Sequence, residues 1–395
     1  MLHPSFIQPR YDEGGFAHLP GFILRQFAEQ RYDHIMFFFI DGFGWRFFEQ
    51  FQSHPVLRAM AKRGSVRQIT SQFPSTTAAH VTCLHTGLPV GAHGIWEWNI
   101  YDPGLDAVIT PLLFSFAGDK DRDTLKAVNA DPERILPHTT LHQSLAALGV
   151  SPHVFQHREY TPSTYSNVIF KGAQAHAYNT LSEALVNMKQ VLAEAQTPVF
   201  AALYYDKIDA ICHTYGPDSE QVEAEIEAAL DMLENRFDKT FAPGKRTLFI
   251  LTADHGQAAT DPQTTLYLNR APRLAGIERL LRRNRKGEII PFGGSSRDLF
   301  LYIPEDRLDD ALALLAPGLE GRADVVKTSD LMAQGYFGPH LSPQFLASVG
   351  SLALLPYAGE SIYWYEKDRF EYRFRGNHGG LTPEEMLIPL IMVEA

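Results

Sequence analysis

The sequence predicts an α/β protein: a three-layer α/β/α core around a mostly parallel central sheet, with a smaller inserted α/β lobe. Three observations predict it. Continuous apolar runs at His34–Ile40, Pro198–Tyr205 and Arg246–Thr252 read as strands buried on both faces, the pattern of parallel strands covered by helices. Segments with helical periodicity lie between them, the alternation that builds strand–helix–strand units. The character then changes between residues 263 and 374, where short apolar runs follow the basic stretch Arg279–Lys286. Residues 1–262 and 375–395 are expected to form the core, and residues 263–374 the inserted lobe.

The totals fit that outline. A chain of 395 residues, 45% hydrophobic and 21% charged, has the length and composition for a sizeable core. Its net charge of −11 argues against polymeric nucleic acid or an anionic membrane as a partner. It leaves room for a small phosphate substrate, because bound divalent cations reverse the local sign. The only cysteines, Cys83 and Cys212, give no disulfide framework and read as small buried residues. No basic start followed by an apolar stretch opens the chain, and no apolar run is long enough to span a bilayer. A cytoplasmic location is therefore expected. No pattern specifies an oligomeric state.

In chain order, Leu19–Phe27 reads as an amphipathic helix. His34–Ile40 is a strand that ends in Asp41-Gly42-Phe43-Gly44, and Trp45–Arg63 a helix. Ser65–Thr70 reads as a strand leading into Phe73-Pro74-Ser75-Thr76-Thr77-Ala78-Ala79-His80. There three hydroxyl residues follow a proline and enter a helix that Gly87 stops, with Ser75 or Thr76 as cap. From His93 to about Pro137 the chain is irregular and aromatic, and Trp96, Trp98 and Tyr101 are candidates to border a pocket. His138–Leu148, Leu181–Ala195 and Ser219–Phe237 read as helices, and Val150–Phe155 as a strand. In the lobe, Asp306–Leu315 reads as a helix. Near the end, Thr382 and Glu385 form a capping box with Pro383 at the first helical position, before a closing strand at Leu390–Val393.

The chemistry lies at the ends of these elements. Asp41 ends the first strand, Asp209 and His213 follow the strand at Pro198–Tyr205, Asp254 and His255 end the strand at Arg246–Thr252, and His378 lies beside glycines near the C-terminus. Functional residues in open α/β sheets collect at strand ends. Asp and neutral His are the ligands of zinc and similar ions. Asp209 and His213, four apart, share a helix face. Three Asp and three His suffice for two metals with three protein ligands each. A hydroxyl at a helix N-terminus sits where an alkoxide or phosphate oxygen is favoured. Tyr160, Tyr165 and Tyr205 are further pocket candidates, and Arg297 or Arg373 candidate phosphate contacts.

The order Asp41-Gly42, Phe73-Pro74-Ser75-Thr76-Thr77, Thr86-Gly87-Leu88-Pro89, His93-Gly94-Ile95, Asp209 to His213-Thr214-Tyr215-Gly216-Pro217, Asp254-His255-Gly256 and His378-Gly379 resembles the alkaline phosphatase superfamily. It is most similar to the type I phosphodiesterase/nucleotide pyrophosphatase branch. The resemblance implies one zinc held by Asp209, His213 and His378. It implies a second held by Asp41, Asp254 and His255 and bridged to the nucleophile Thr77, with manganese as the alternative metal. It implies a covalent phospho-threonine intermediate on Thr77 and a small phosphate-ester or nucleotide substrate. His80 stands where the resemblance leads one to expect an Asn contacting the phosphoryl group, which makes it a candidate substrate-binding residue. A phosphomonoesterase on the same scaffold is the alternative function, and a non-catalytic interaction protein the alternative class.

Overall fold

The computed structural model describes residues 2–395. Seven strands form the central sheet: β1 (His34–Ile40), β2 (Gly64–Thr70), β3 (Ser151–His157), β4 (Gln174–Tyr178), β5 (Val199–Tyr205), β6 (Thr247–Thr252) and β7 (Leu387–Glu394), in the order β2-β7-β6-β1-β5-β3-β4. β1 lies in the middle, parallel to β5 and β6, and all seven of its residues are buried. Only β7 runs against its neighbours, antiparallel to both β2 and β6. Its hairpin-free pairing brings the C-terminal segment back into the core, as the closing-strand reading expects. Helices cover both faces, so the central strands carry apolar side chains on each side.

Register places the chemistry. Ile40 pairs with Tyr205 and Phe39 with Thr252, so β1, β5 and β6 end at one level of the sheet. Asp41, Asp206 and Ala253-Asp254 leave the sheet along that edge.

Several elements differ from their sequence readings for local reasons. The stretch Trp45–Arg63 is two helices, Trp45–Phe51 and Pro55–Arg63. Pro55 cannot donate into a continuous ladder, and it starts the second helix at its first position, where His54 Nδ1 accepts from the Val56 N–H. The helix expected from His138 begins at Leu141, where Thr140 and Gln143 close a capping box. Edge strand β4 was not expected: its residues alternate polar and small without an apolar run, and four of the five are not fully buried.

In the region 263–374 a four-stranded antiparallel sheet runs Gly293–Gly294, Leu299–Leu301, Leu352–Pro356, Ala323–Lys327. Strand alternation divides its faces. Leu299, Leu301, Leu352 and Leu354 pack into a second hydrophobic cluster drawn mostly from residues 266–370, while Phe300, Ala353 and Leu355 pack into the main core. Tyr101, Val108 and Ala117 of the aromatic excursion also join the second cluster. The sheet is thus shared between the two clusters. Among the described residues no helix is long and apolar enough to cross a membrane. Both cysteines are free and buried.

Candidate active site

The strand-end edge gathers the Asp and His residues into one cluster. Asp41 leaves β1 through a turn at Gly42, whose φ of 74° favours glycine; a Cβ there would also stand 3.2 Å from the Asp209 backbone. After β5, helix α1 (Lys207–Tyr215) puts Asp209 and His213 on one face, with His213 Nε2 3.2 Å from Asp209 Oδ2. His255 Nε2 lies 3.4 Å from Asp41 Oδ1 and 3.3 Å from Asp254 Oδ2, and His378 Nε2 lies 3.5 Å from Asp209 Oδ1. Ligand atoms of Asp41, Asp254 and His255 all fall within 4.8 Å of one another, as do those of Asp209, His255 and His378. All six residues are brought together, with His255 within reach of both groups and His213 against Asp209.

The three imidazoles are oriented alike. Nδ1 of His213 contacts the Gly376 carbonyl at 2.8 Å, that of His255 the Gly256 carbonyl at 2.9 Å, and that of His378 the Ser75 carbonyl at 3.0 Å. Each Nδ1–H donation leaves Nε2 bare and aimed at the carboxylates, the arrangement that fixes the tautomer of a metal-ligating His. Tyr204 donates its hydroxyl to Asp41 Oδ2, and Gln257 donates its amide to Asp209 Oδ1. Neither was singled out in the sequence. Tyr204 only follows from the strand-end register, and Gln257 from standing two residues after His255.

Electrostatics point to a cation. Burial first, then the neighbouring Asp254 and Asp209, push Asp41 well above the usual carboxylate range. Burial also raises Asp254. Burial works against the charge on Asp209, yet His213 beside it, itself raised by that carboxylate, outweighs burial and holds the carboxyl below its ordinary value. Burial pushes His255 down to about 4 and, with His255 beside it, His378 down to about 3, so both are neutral and able to ligate at pH 7. Asp254 Oδ1 accepts from the Gly42 and His255 N–H groups, while Oδ2 is buried with no partner. Two buried carboxylates, a third that is half-buried, three imidazoles and one orphaned oxygen fit divalent cations, and the cluster is unfavourable without them.

Thr77 stands at this cluster. It opens helix α2 (Thr77–Thr86), which Gly87 ends with φ 77°. Its Oγ1 lies 3.1 Å from His255 Nε2 and 3.4 Å from each Asp41 oxygen. Thr76 occupies the cap position without a side-chain cap bond. Ser75 is instead tied to the other side: its hydroxyl donates to the Gly380 carbonyl at 2.8 Å and accepts from the Gly379 N–H at 3.2 Å. That clasp joins the start of α2 to the loop carrying His378.

The structure does not bring His80 to the cavity. The ring is fully buried, its Nδ1 contacts the Thr76 carbonyl at 2.7 Å, and its Nε2 accepts from the Gln72 N–H at 2.8 Å beside the Ser71 hydroxyl. With both nitrogens engaged and the pKa pushed down to about 4 by burial, it has no hydrogen to give a phosphoryl oxygen. Arg297 and Arg373 do not line the cavity either. Arg297 is fully buried in a bidentate pair with Glu385, at 3.0 and 2.8 Å, and Arg373 is an exposed partner of Glu371. Arg122 and Arg369 line the cavity in their place.

That cavity holds about 570 Å³ and runs from Asp41, Thr77 and His378 to Trp98, Tyr160 and Tyr165. Trp96 and Tyr101 of the excursion are buried instead, Trp96 donating to Ser348 Oγ at 3.0 Å, and Tyr205 pairs with Glu225. Ser295, Tyr363 and Phe370 from the region 263–374 complete the wall.

Sequence comparison then bears on this geometry. The family model for type I phosphodiesterase/nucleotide pyrophosphatase matches residues 35–381. The chain belongs to this family. A relative, the bis(5'-adenosyl)-triphosphatase ENPP4 of Bos taurus, is 28% identical over 236 residues, covering 58% of this chain and 48% of that protein. The chain thus matches about half the length of that relative. Among solved structures, murine ectonucleotide pyrophosphatase/phosphodiesterase 5 superposes with a TM-score of 0.66 at 18% identity, covering 90% of this chain and 87% of that one. An inactive form of the same murine protein was solved in complex with AMP. Phosphonoacetate hydrolase from Sinorhizobium meliloti 1021, in complex with phosphonoformate, gives a TM-score of 0.64 at 17% identity over 90% of this chain and 89% of that one. These likenesses show that the family's fold is shared across the whole core. It is a fold of the alkaline phosphatase superfamily.

Proposed function

We infer that this member of the family hydrolyses phosphate diesters or nucleotide pyrophosphate bonds through a covalent intermediate on Thr77. The observation that carries the reading is the convergence of six Asp/His donors on one hydroxyl at the mouth of a helix. Asp209, His213 and His378 would hold one divalent ion, and Asp41, Asp254 and His255 a second beside Thr77, with zinc or manganese suited to the donor set. Bound there, the ions supply Lewis acidity that makes a threonine hydroxyl nucleophilic and offsets phosphoryl charge.

The chain's own residues do the rest. The bond from Thr77 Oγ1 to phosphorus forms as the bond from phosphorus to the leaving alcohol or phosphate breaks. Water then cleaves the threonine ester, restoring Thr77 and releasing a phosphomonoester. The unpaired N–H groups in the first turn of α2 favour negative charge on the oxygens at that point. His80 acts as a positioning residue: its bonds to Thr76, Gln72 and the Ser71 region fix the backbone that presents Thr77. A cavity of about 570 Å³ has room for a second esterifying group, which favours diesters over the phosphomonoesterase alternative.

Residues 263–374 serve as a fixed wall of the cavity in this reading, since their sheet packs into both hydrophobic clusters. A cytoplasmic location fits the two free, buried cysteines. Turnover of bis(4-nitrophenyl) phosphate against 4-nitrophenyl phosphate, with zinc and with manganese, tests the function. Preference for the diester is expected. Preference for the monoester favours the alternative, and no turnover of any ester a non-catalytic role.

A further inference from the structure

Two buried acceptor oxygens in the cavity wall have no hydrogen offered by the protein and no part in the chemistry above. Asp206 follows β5 and is only 4% exposed. It stands beside Asp41 across the sheet, where the Asp41 N–H donates to the Tyr205 carbonyl at 2.9 Å. Its Oδ2 accepts from the Tyr160 hydroxyl at 2.8 Å and from Lys207 Nζ at 3.0 Å, while Oδ1 is buried without a partner. Gln156, 6% exposed, sits one strand over near the end of β3, and its Oε1 is also buried without a partner. Phe155 pairs with Leu203, so Gln156, still within β3, lies near the strand-end side on which Asp206 leaves β5. Both line the cavity that holds Thr77. Buried acceptors are nearly always satisfied, and two left unpaired on residues that line a ligand-sized cavity call for donors from a ligand.

We propose that Gln156 and Asp206 form a subsite that reads hydroxyl groups on the alcohol esterified to phosphate, as on a sugar. The proposal rests on the phosphodiesterase reading of Thr77 and names its substrate class. Charge selects hydroxyl over ammonium: Lys207 already meets the Asp206 carboxylate, and the Arg122 guanidinium lies 5.6 Å from the centre of the Tyr160 ring. A further cation there would face two others, whereas a neutral hydroxyl satisfies the open oxygens without adding charge.

The test uses ligands that differ only in those hydroxyls. The 4-nitrophenyl esters of adenosine 5'-monophosphate and of its 2',3'-dideoxy analogue are compared as substrates of the metal-loaded chain, with 2-aminoethyl 4-nitrophenyl phosphate as the ammonium arm. Wild type is expected to favour the hydroxyl-bearing ester in kcat/KM by roughly 10–100-fold. Asp206→Asn and Gln156→Leu should each shrink that preference to within about threefold. Equal treatment of the two nucleotide esters by wild type, equal losses on both in the variants, or a preference for the aminoethyl ester overturns the proposal. Calorimetric binding of the two free monophosphates needs no turnover. If no ester is cleaved, the phosphodiesterase reading falls, and the calorimetry still decides the subsite. A hydroxyl preference abolished in the variants supports it; equal affinities in wild type overturn it.

Discussion

The Thr77 hydroxyl oxygen stands 3.1 Å from His255 Nε2, so the proposed nucleophile and a proposed metal ligand meet at one point of the cavity. Asp41 and Asp254 close the other sides of that point. Thr77→Ala should lower turnover by roughly 1,000-fold or more while leaving about two metal ions per chain. Kinetics and metal analysis on the same sample check this. Full activity in the variant would remove Thr77 from the mechanism.

In the proposed arrangement His378 shares a metal with Asp209 and His213, and its Nδ1 is held by the Ser75 carbonyl. His378→Ala should weaken one metal site and spare the other. Stepwise chelation followed by metal analysis reads the two affinities separately. An equal loss from both sites would contradict the grouping.

Gln257 donates its side-chain amide to Asp209, one of the proposed ligands. Gln257→Leu removes the donor that orients that carboxylate, and should cost roughly 10–100-fold in affinity at the same site. Competition with a chromogenic chelator measures it, and unchanged affinity would leave Gln257 with a packing role alone.

The Arg297–Glu385 pair is fully buried and joins the region 263–374 to the segment just after His378. Arg297→Met leaves the Glu385 charge uncompensated and should destabilise the fold by about 3–5 kcal/mol. The double variant with Glu385→Leu should recover much of that loss, because both desolvated charges are gone. Urea unfolding of the wild type and the variants tests the pair. A double variant no more stable than Arg297→Met would show that Glu385 matters through its bonds to Thr382 and Gly380 instead.

His142 is buried, bonded to His85 at 2.9 Å, and its Nδ1 has no partner; burial pushes its pKa down to about 3. The folded chain therefore refuses a proton that the unfolded chain accepts below its ordinary value. The stability this neutral His permits is complete above about pH 6.5 and is lost as pH falls toward 3. Relative to His142→Asn, wild type should lose about 1.4 kcal/mol per pH unit between roughly pH 6 and 4. Urea unfolding at pH 7, 6 and 5 measures the difference, and a pH-independent gap would contradict the buried neutral state.

Much of the site was legible because it sits where the apolar pattern ends. Asp41, Asp209 and Asp254 each follow a buried run, and parallel strands of matched register bring such ends together. What escaped the sequence depends on direction and on distant partners. His80 lies in a helix whose second to tenth residues are all buried, so spacing gives no sign of which wall it faces. Arg297 looked like a free cation because its partner Glu385 is 88 residues away. Tyr204 and Tyr205 are neighbours in one strand, and strand alternation sends one to Asp41 and the other to Glu225.

The stereochemical course at phosphorus tests the covalent Thr77 step most directly. A chiral phosphorothioate diester hydrolysed in isotopically labelled water undergoes two in-line displacements if Thr77 carries the intermediate, and one if water attacks directly. Retention of configuration is the predicted result. Inversion would contradict it.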